Sequence, residues 1–140
     1  MKGIEVIEFQ SKGYQPLVDY ESWRVAVLRF CDDLKPEAVV SMQKHDLTDE
    51  VFVLLQGKCV LYEAGKGNQP EEITAVLLEA GKLYNVKKGV WHNHTMSEDG
   101  MVLIVENQNT MDENSPTKML NEEQRQKVCR FHNQWVERKG

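Results

Sequence analysis

Gln43-Lys44-His45-Asp46-Leu47-Thr48-Asp49-Glu50-Val51-Phe52-Val53-Leu54-Leu55-Gln56-Gly57 is the stretch that decides the fold. Gln43 and His45 are two residues apart, so on an extended strand their side chains share a face. Asp46 to Asp49 are polar or turn-forming, and Glu50 opens an apolar strand that ends at Gln56 and Gly57. The pattern predicts a hairpin, with residues 51–55 and 58–62 as its arms and Glu50, Phe52 and Leu54 on one side of the first arm. An imidazole and a carboxylate meeting across a short turn begin a metal site, because a divalent ion accepts nitrogen and oxygen donors together.

Further donors follow in Gly81-Lys82-Leu83-Tyr84-Asn85-Val86-Lys87-Lys88-Gly89-Val90-Trp91-His92-Asn93-His94. Gly89 permits a tight turn, and His92 and His94, again two apart, point to one side of the strand after it. Three histidines, a carboxylate and an amide can then converge.

These two stretches resemble the paired motifs of the cupins, small antiparallel β-barrels that carry a metal site inside. The first cupin motif reads histidine, one residue, histidine, three or four residues, glutamate, six residues, glycine. Gln43, His45, Glu50 and Gly57 keep that spacing, with glutamine where the first histidine is usual. The second reads glycine, five residues, proline, one residue, glycine, two residues, histidine, three residues, asparagine. Gly81, Lys87, Gly89, His92 and Met96 take those places, so the histidine is kept and the proline and asparagine are not. The resemblance implies an all-β fold, an antiparallel β-barrel of the jelly-roll or double-stranded β-helix kind. It implies His45, Glu50 and His92 as metal ligands with Gln43 as a fourth, and a divalent transition metal (zinc, iron, manganese or nickel) as cofactor; His94, on the same face as His92, is the alternative fourth ligand or a residue that faces the substrate. It also implies a homodimer, since cupins commonly pair through their sheets. Residues 84–94 are similar to ureidoglycolate lyase, which would imply cleavage of a small ureido-acid.

A chain of 140 residues with 41% hydrophobic content is expected to form one domain with a sizeable core. The barrel is expected over about residues 17–107 and a C-terminal helix over about 121–137. A formal charge of -5, with a pI near 5.4, argues against a nucleic-acid surface, which needs clustered lysine and arginine. Cys31, Cys59 and Cys129 are odd in number and far apart, which fits a reducing compartment rather than a disulfide framework. The N-terminus has acidic residues where a signal peptide keeps an apolar core, and no run approaches transmembrane length, so a cytoplasmic protein without a membrane partner is expected.

Taken in order, residues 4–9 read as a short edge strand and Ser11 to Pro16 as a turn. Residues 22–30 form a strand apolar on both faces, and its phase decides whether Arg24 or Arg29 faces a cavity. An inward arginine would bind an anionic substrate, while the prior for a lone arginine is solvent. Residues 38–45 deliver Gln43 and His45. Residues 65–70 are a loop, and the pair Gly65 and Gly67 lacks the third glycine and helix of a nucleotide-binding turn. Strands are expected over 72–78, 83–86, 90–96 and 101–105, with residues 107–116 polar and irregular. Asn121 with Gln124 three residues on reads as a capping box, and Val128, Phe131 and Trp135 recur at helical spacing, a stripe for the outside of the barrel.

Tyr84, in phase with Val86, is the candidate catalytic residue: at the barrel mouth its hydroxyl would donate or transfer a proton, and otherwise it is a half-buried strand tyrosine. Asp49 reads as a turn cap, Trp91 as packing or a dimer contact, and His132 as a surface residue. Cys59 has no activating partner in sequence. Two function classes follow: a metal-dependent enzyme (lyase, isomerase or dioxygenase) acting on a small polar or anionic metabolite, or a non-catalytic barrel that binds a sugar or small acid with a degenerate metal site.

Overall fold

The structure is a computed structural model and describes residues 3–8 and 10–137. Along the chain run β1 (Gly13–Tyr20), β2 (Trp23–Arg29), β3 (Ser41–Gln43), β4 (Glu50–Gln56), β5 (Cys59–Glu63), β6 (Thr74–Leu77), β7 (Tyr84–Val86), β8 (His92–Met96), β9 (Met101–Asn107) and β10 (Thr117–Met119), then α1 (Glu122–His132). They make two five-stranded sheets, ordered β1-β2-β9-β4-β7 and β10-β3-β8-β5-β6, with every pairing antiparallel. Two such sheets packed face to face are the all-β jelly-roll that the resemblance implied.

The expected hairpin across Gly57 is not formed. β4 pairs with β7 and β9, and β5 with β6 and β8, so the chain crosses from one sheet to the other at this turn. A second crossover, from β8 to β9, lies beside it. Lys58 N donates to Ser97 Oγ at 2.8 Å, Ser97 N to Lys58 O at 2.9 Å, and Gln56 Nε2 to Asp99 O at 2.9 Å. Gly57 sits at φ 70°, and a Cβ there would lie 2.8 Å from the Gly100 Cα. The glycine that closes the first motif is therefore required by two crossovers stacked against each other, not by a two-residue hairpin loop.

The N-terminal edge also differs. Ile4 to Glu8 adopt no regular structure and are exposed, and Phe9 lies outside the described residues. The first strand instead covers Gly13 to Tyr20, including the expected turn. Pro16 fits there because β1 is an edge strand whose register shifts between Pro16 and Val18, where the missing N–H costs no ladder bond to a second neighbour. β10, in residues to which the sequence assigns no element, pairs backbone to backbone with β3 although all three of its side chains are exposed.

One core lies between the sheets, built from Ala26, Leu28, Phe52, Leu61, Met96, Val102 and Ile104. The other covers the outside of the second sheet, where Met42, Val60, Tyr62 and Trp91 meet Val128 of α1. The helix begins as its sequence predicts: Gln124 N donates to Asn121 Oδ1 at 2.8 Å, and Asn121 N to Gln124 Oε1 at 2.9 Å. His132 is not a surface residue. It is 1% exposed, with Nδ1 2.8 Å from the Thr95 Oγ1 on β8 and Nε2 3.1 Å from Glu137 Oε1. Among the described residues no helix is long and apolar enough to cross a membrane.

Candidate metal centre and its cavity

The inward phase of β8 carries His92, His94 and Met96, and that of β4 carries Glu50 and Phe52. Gln43 on β3 pairs across with His92, and His45 lies just beyond the end of β3. The loop after β3 is clipped to the turn before β8: Gly89 N donates to His45 O at 2.8 Å, and Asp49 accepts from Lys88 N at 2.7 Å and Asn85 Nδ2 at 3.0 Å. Asp49 is the turn cap its position suggested, and this clip sets His45 and Glu50 against His92.

The Glu50 Oε1 lies 3.3 Å from His45 Nε2 and 3.0 Å from His92 Nε2, and one donor atom from each of the three residues falls within 4.8 Å of the others. All three side chains are buried. Each imidazole is fixed from behind: His45 Nδ1 meets Ser115 Oγ at 2.7 Å, and His92 Nδ1 donates to the Val90 carbonyl at 2.9 Å. Both rings therefore turn Nε2 toward the carboxylate, the arrangement that outer hydrogen bonds impose on metal-binding histidines.

The donor set fits a divalent transition ion. Two nitrogens and one oxygen suit such ions, and donors each about 2.1 Å from a common centre sit roughly 3 to 3.4 Å apart. The protonation pattern is consistent. Burial opposes charge on Glu50, but hydrogen bonds from His45 and His92 outweigh it and hold its carboxyl well below the usual range. Burial likewise works against a charged His92, and its bond to Glu50 raises its pKa all the same. A position that stabilises a shared proton between these groups is also one that accepts a cation in its place.

The centre sits in a cavity of about 420 Å³ that is also lined by Tyr14, Arg24, Gln43, His94, Glu106 and Ser115. Gln43 donates its Nε2 to the Ser115 carbonyl at 3.0 Å. His94 stands 5.6 Å, ring to ring, from Phe52, and its Nδ1 is sealed from solvent without a hydrogen-bond partner among the described residues. Burial pushes its pKa down to about 4, so the ring is neutral near pH 7. Tyr84 is elsewhere. Its ring packs on the inter-sheet core and its hydroxyl accepts from Glu79 N at 2.9 Å, so it does not line this cavity.

Two cavity residues, Glu106 and Ser115, were missed in the sequence, and a third, Arg24, was undecided there. Glu106 is 6% exposed and accepts a hydrogen bond from the Tyr14 hydroxyl. Burial, then the neighbouring Glu50 carboxylate, pushes its pKa up to about 7. Ser115 orients His45 from the segment read as irregular. Arg24 faces the cavity from β2, opposite Glu106 in register, against the solvent prior for a lone arginine. Cys59 is fully buried and its thiol is pushed up to about 12, which makes it packing and no nucleophile.

No family model matches the chain, and no curated protein does. Solved structures do. A cupin-2 domain protein from Shewanella frigidimarina is 19% identical, over 71% of this chain and 85% of that one, with a TM-score of 0.50. KdgF from Halomonas sp. is 15% identical, over 71% and 80%, with a TM-score of 0.52. WlaRA, a TDP-fucose-3,4-ketoisomerase from Campylobacter jejuni, is 16% identical, over 83% and 78%, with a TM-score of 0.51. With the two packed sheets and the inward donors, these likenesses establish that the chain has the cupin fold.

Proposed function

We propose that this chain holds one divalent transition metal through His45, Glu50 and His92, with Gln43 or His94 alongside, and acts on a small polar or anionic metabolite in the cavity. The observation that carries this is the convergence of His45 Nε2, His92 Nε2 and Glu50 Oε1 on one buried point that opens into the cavity. A bound ion supplies Lewis acidity there, polarising a substrate oxygen or lowering the pKa of a water. The surrounding side chains bind and orient: Tyr14 and Glu106 present a hydroxyl and a carboxyl to the same space. Lyase, isomerase and dioxygenase chemistry all belong to this class, cleavage of a small ureido-acid among them. The test is elemental analysis of protein prepared without chelator. About one transition-metal ion per chain is expected, and protein free of metal would overturn the reading.

Gln43 favours a second reading, a non-catalytic barrel that binds a sugar or small acid. An amide stands where a histidine is usual, and its oxygen is a weaker, neutral donor to a metal than an imidazole nitrogen. Metal content near zero in a protein with an intact fold would favour it.

The same residues make a sharper prediction. In Ser115→Ala, His45 loses the oxygen that fixes its Nδ1, and metal affinity is expected to fall by about 10- to 100-fold with the fold unchanged. Competition against a chromogenic chelator measures it.

We read the protein as cytoplasmic and homodimeric. The outer face of the first sheet supports the dimer, because Val25, Val51, Val53, Leu103 and Val105 share it, half-buried, across three adjacent strands. An aliphatic stripe of this kind marks a contact surface. Sedimentation equilibrium is expected to give twice the chain mass, and Val53→Lys to shift it toward one.

A further inference from the structure

Among the described residues that line the cavity, Arg24 alone is a lysine or arginine. Its Nε donates to Asp19 Oδ1 at 2.7 Å and its Nη2 reaches Asp19 Oδ2 at 3.4 Å. That side-on pairing uses one edge of the guanidinium and leaves donors on its terminal edge for another acceptor. The Arg24 side chain is only 17% exposed while Asp19 is 38% exposed, so the aspartate holds it from the solvent side. The guanidinium lies against the Tyr14 hydroxyl, which itself donates to Glu106. An arginine so held is already oriented before any ligand arrives, and little side-chain entropy is lost when one binds.

We propose that Arg24, oriented by Asp19 and Tyr14, binds the carboxylate of a small monocarboxylic acid whose other oxygen substituents lie toward His45, Glu50 and His92. This rests on the reading of the cavity as a small-metabolite site. A planar fork of N–H groups matches the two oxygens of a carboxylate. Charge selects among anions. Glu50, Glu106 and Asp112 line the same cavity, up to three negative charges against Arg24 and the divalent ion, so a monoanion leaves the space less negative than a dianion such as phosphate does. Size agrees, since about 420 Å³ is near the lower end of small-molecule pockets.

The test is calorimetric titration of the protein as purified, its metal content measured alongside, with three probes: lactate, lactamide and inorganic phosphate. Lactate and lactamide have nearly the same shape and differ in charge. Lactate is expected to bind at least about tenfold more tightly than lactamide, and phosphate more weakly than lactate. In Arg24→Gln the preference for lactate is lost while metal content stays at the wild-type level. Arg24→Lys, which keeps the charge and loses the fork, recovers only part of it. Equal binding of lactate and lactamide by the wild type overturns the proposal, as do phosphate binding tighter than lactate, an undiminished preference in Arg24→Gln, or no lactate binding up to about 10 mM. If Arg24→Gln does not fold, the wild-type comparison decides alone. The two readings fail separately. Metal-free wild type that still prefers lactate sinks the metal and leaves Arg24 in place, and metal-loaded protein without the preference does the reverse.

Discussion

His92→Ala is expected to leave purification essentially without transition metal, where the wild type carries about one ion per chain. The size of the effect follows from how few donors the site has. Structural metal sites release roughly 10 to 16 kcal/mol over three or four protein ligands, so one ligand contributes about 3 kcal/mol or more, at least a hundredfold in affinity. His92 is also the better placed of the two imidazoles, 3.0 Å from Glu50 Oε1 against 3.3 Å for His45, with its Nδ1 anchored on a backbone carbonyl that no substitution removes. Glu50→Gln keeps the shape and removes the charge, and should lose the ion to a similar degree. The control is the fold: the core on either side of β8 does not depend on the His92 ring, so far-ultraviolet circular dichroism should remain that of a β-rich protein. Metal content unchanged in His92→Ala would remove it from the ligand set.

The convergence of His45, Glu50 and His92 is what the resemblance implied: its two motifs carry these residues at fixed spacing within short segments, and the structure brings one donor atom from each within 4.8 Å of the others. Arg24 was undecidable because β2 is apolar on both faces: Ala26 and Leu28 face the inter-sheet core while Val25 and Val27 point to the outer face, leaving no alternation to fix the phase. Glu106 was within reach. It continues the inward series Val102, Ile104 by one more step of two, and a carboxylate on a buried phase is a signal in itself. His132 follows Val128 by four, on the buried stripe of α1, so the same periodicity that found the helix should have turned this histidine inward.

The misread hairpin and the missed strand have a common cause. Both depend on partners far away in sequence. β4 and β5 each look like one arm of a hairpin, and only the longer-range ladders to β9 and β8 separate them into two sheets. β10 has no buried side chain and is held by backbone bonds to β3, which leave no mark on composition. Ser115 lies just before β10, and with it went the group that fixes His45.

Trp91→Ala is expected to cost about 3 to 5 kcal/mol of folding stability, measured by urea denaturation with the metal removed. Trp91 is 1% exposed and belongs to the core between the second sheet and α1, with Val60, Tyr62, Ile73 and Val128. Its Nε1 donates to Gly67 O at 2.8 Å, and the Lys44 ammonium lies 4.8 Å from the ring centre. Truncation therefore removes a large apolar side chain from a packed site, opens a cavity that cannot close because the backbone on both sides is tied, and strands the Gly67 carbonyl. Its own backbone is part of that tie, with Trp91 N donating to Gly65 O and Ala64 N to Trp91 O, both at 2.9 Å. The consequence reaches the cavity because the next residue is His92, facing the other way. What anchors β8 from outside positions the ligand inside, so Trp91→Ala should lower metal affinity as well as stability, although Trp91 touches none of the three donors. Trp91→Phe keeps most of the volume and loses only the indole N–H, and should restore most of both. A Trp91→Ala protein that melts as late as the wild type would show that the helix-side core is dispensable, and normal metal affinity in a destabilised one would uncouple the two faces of β8.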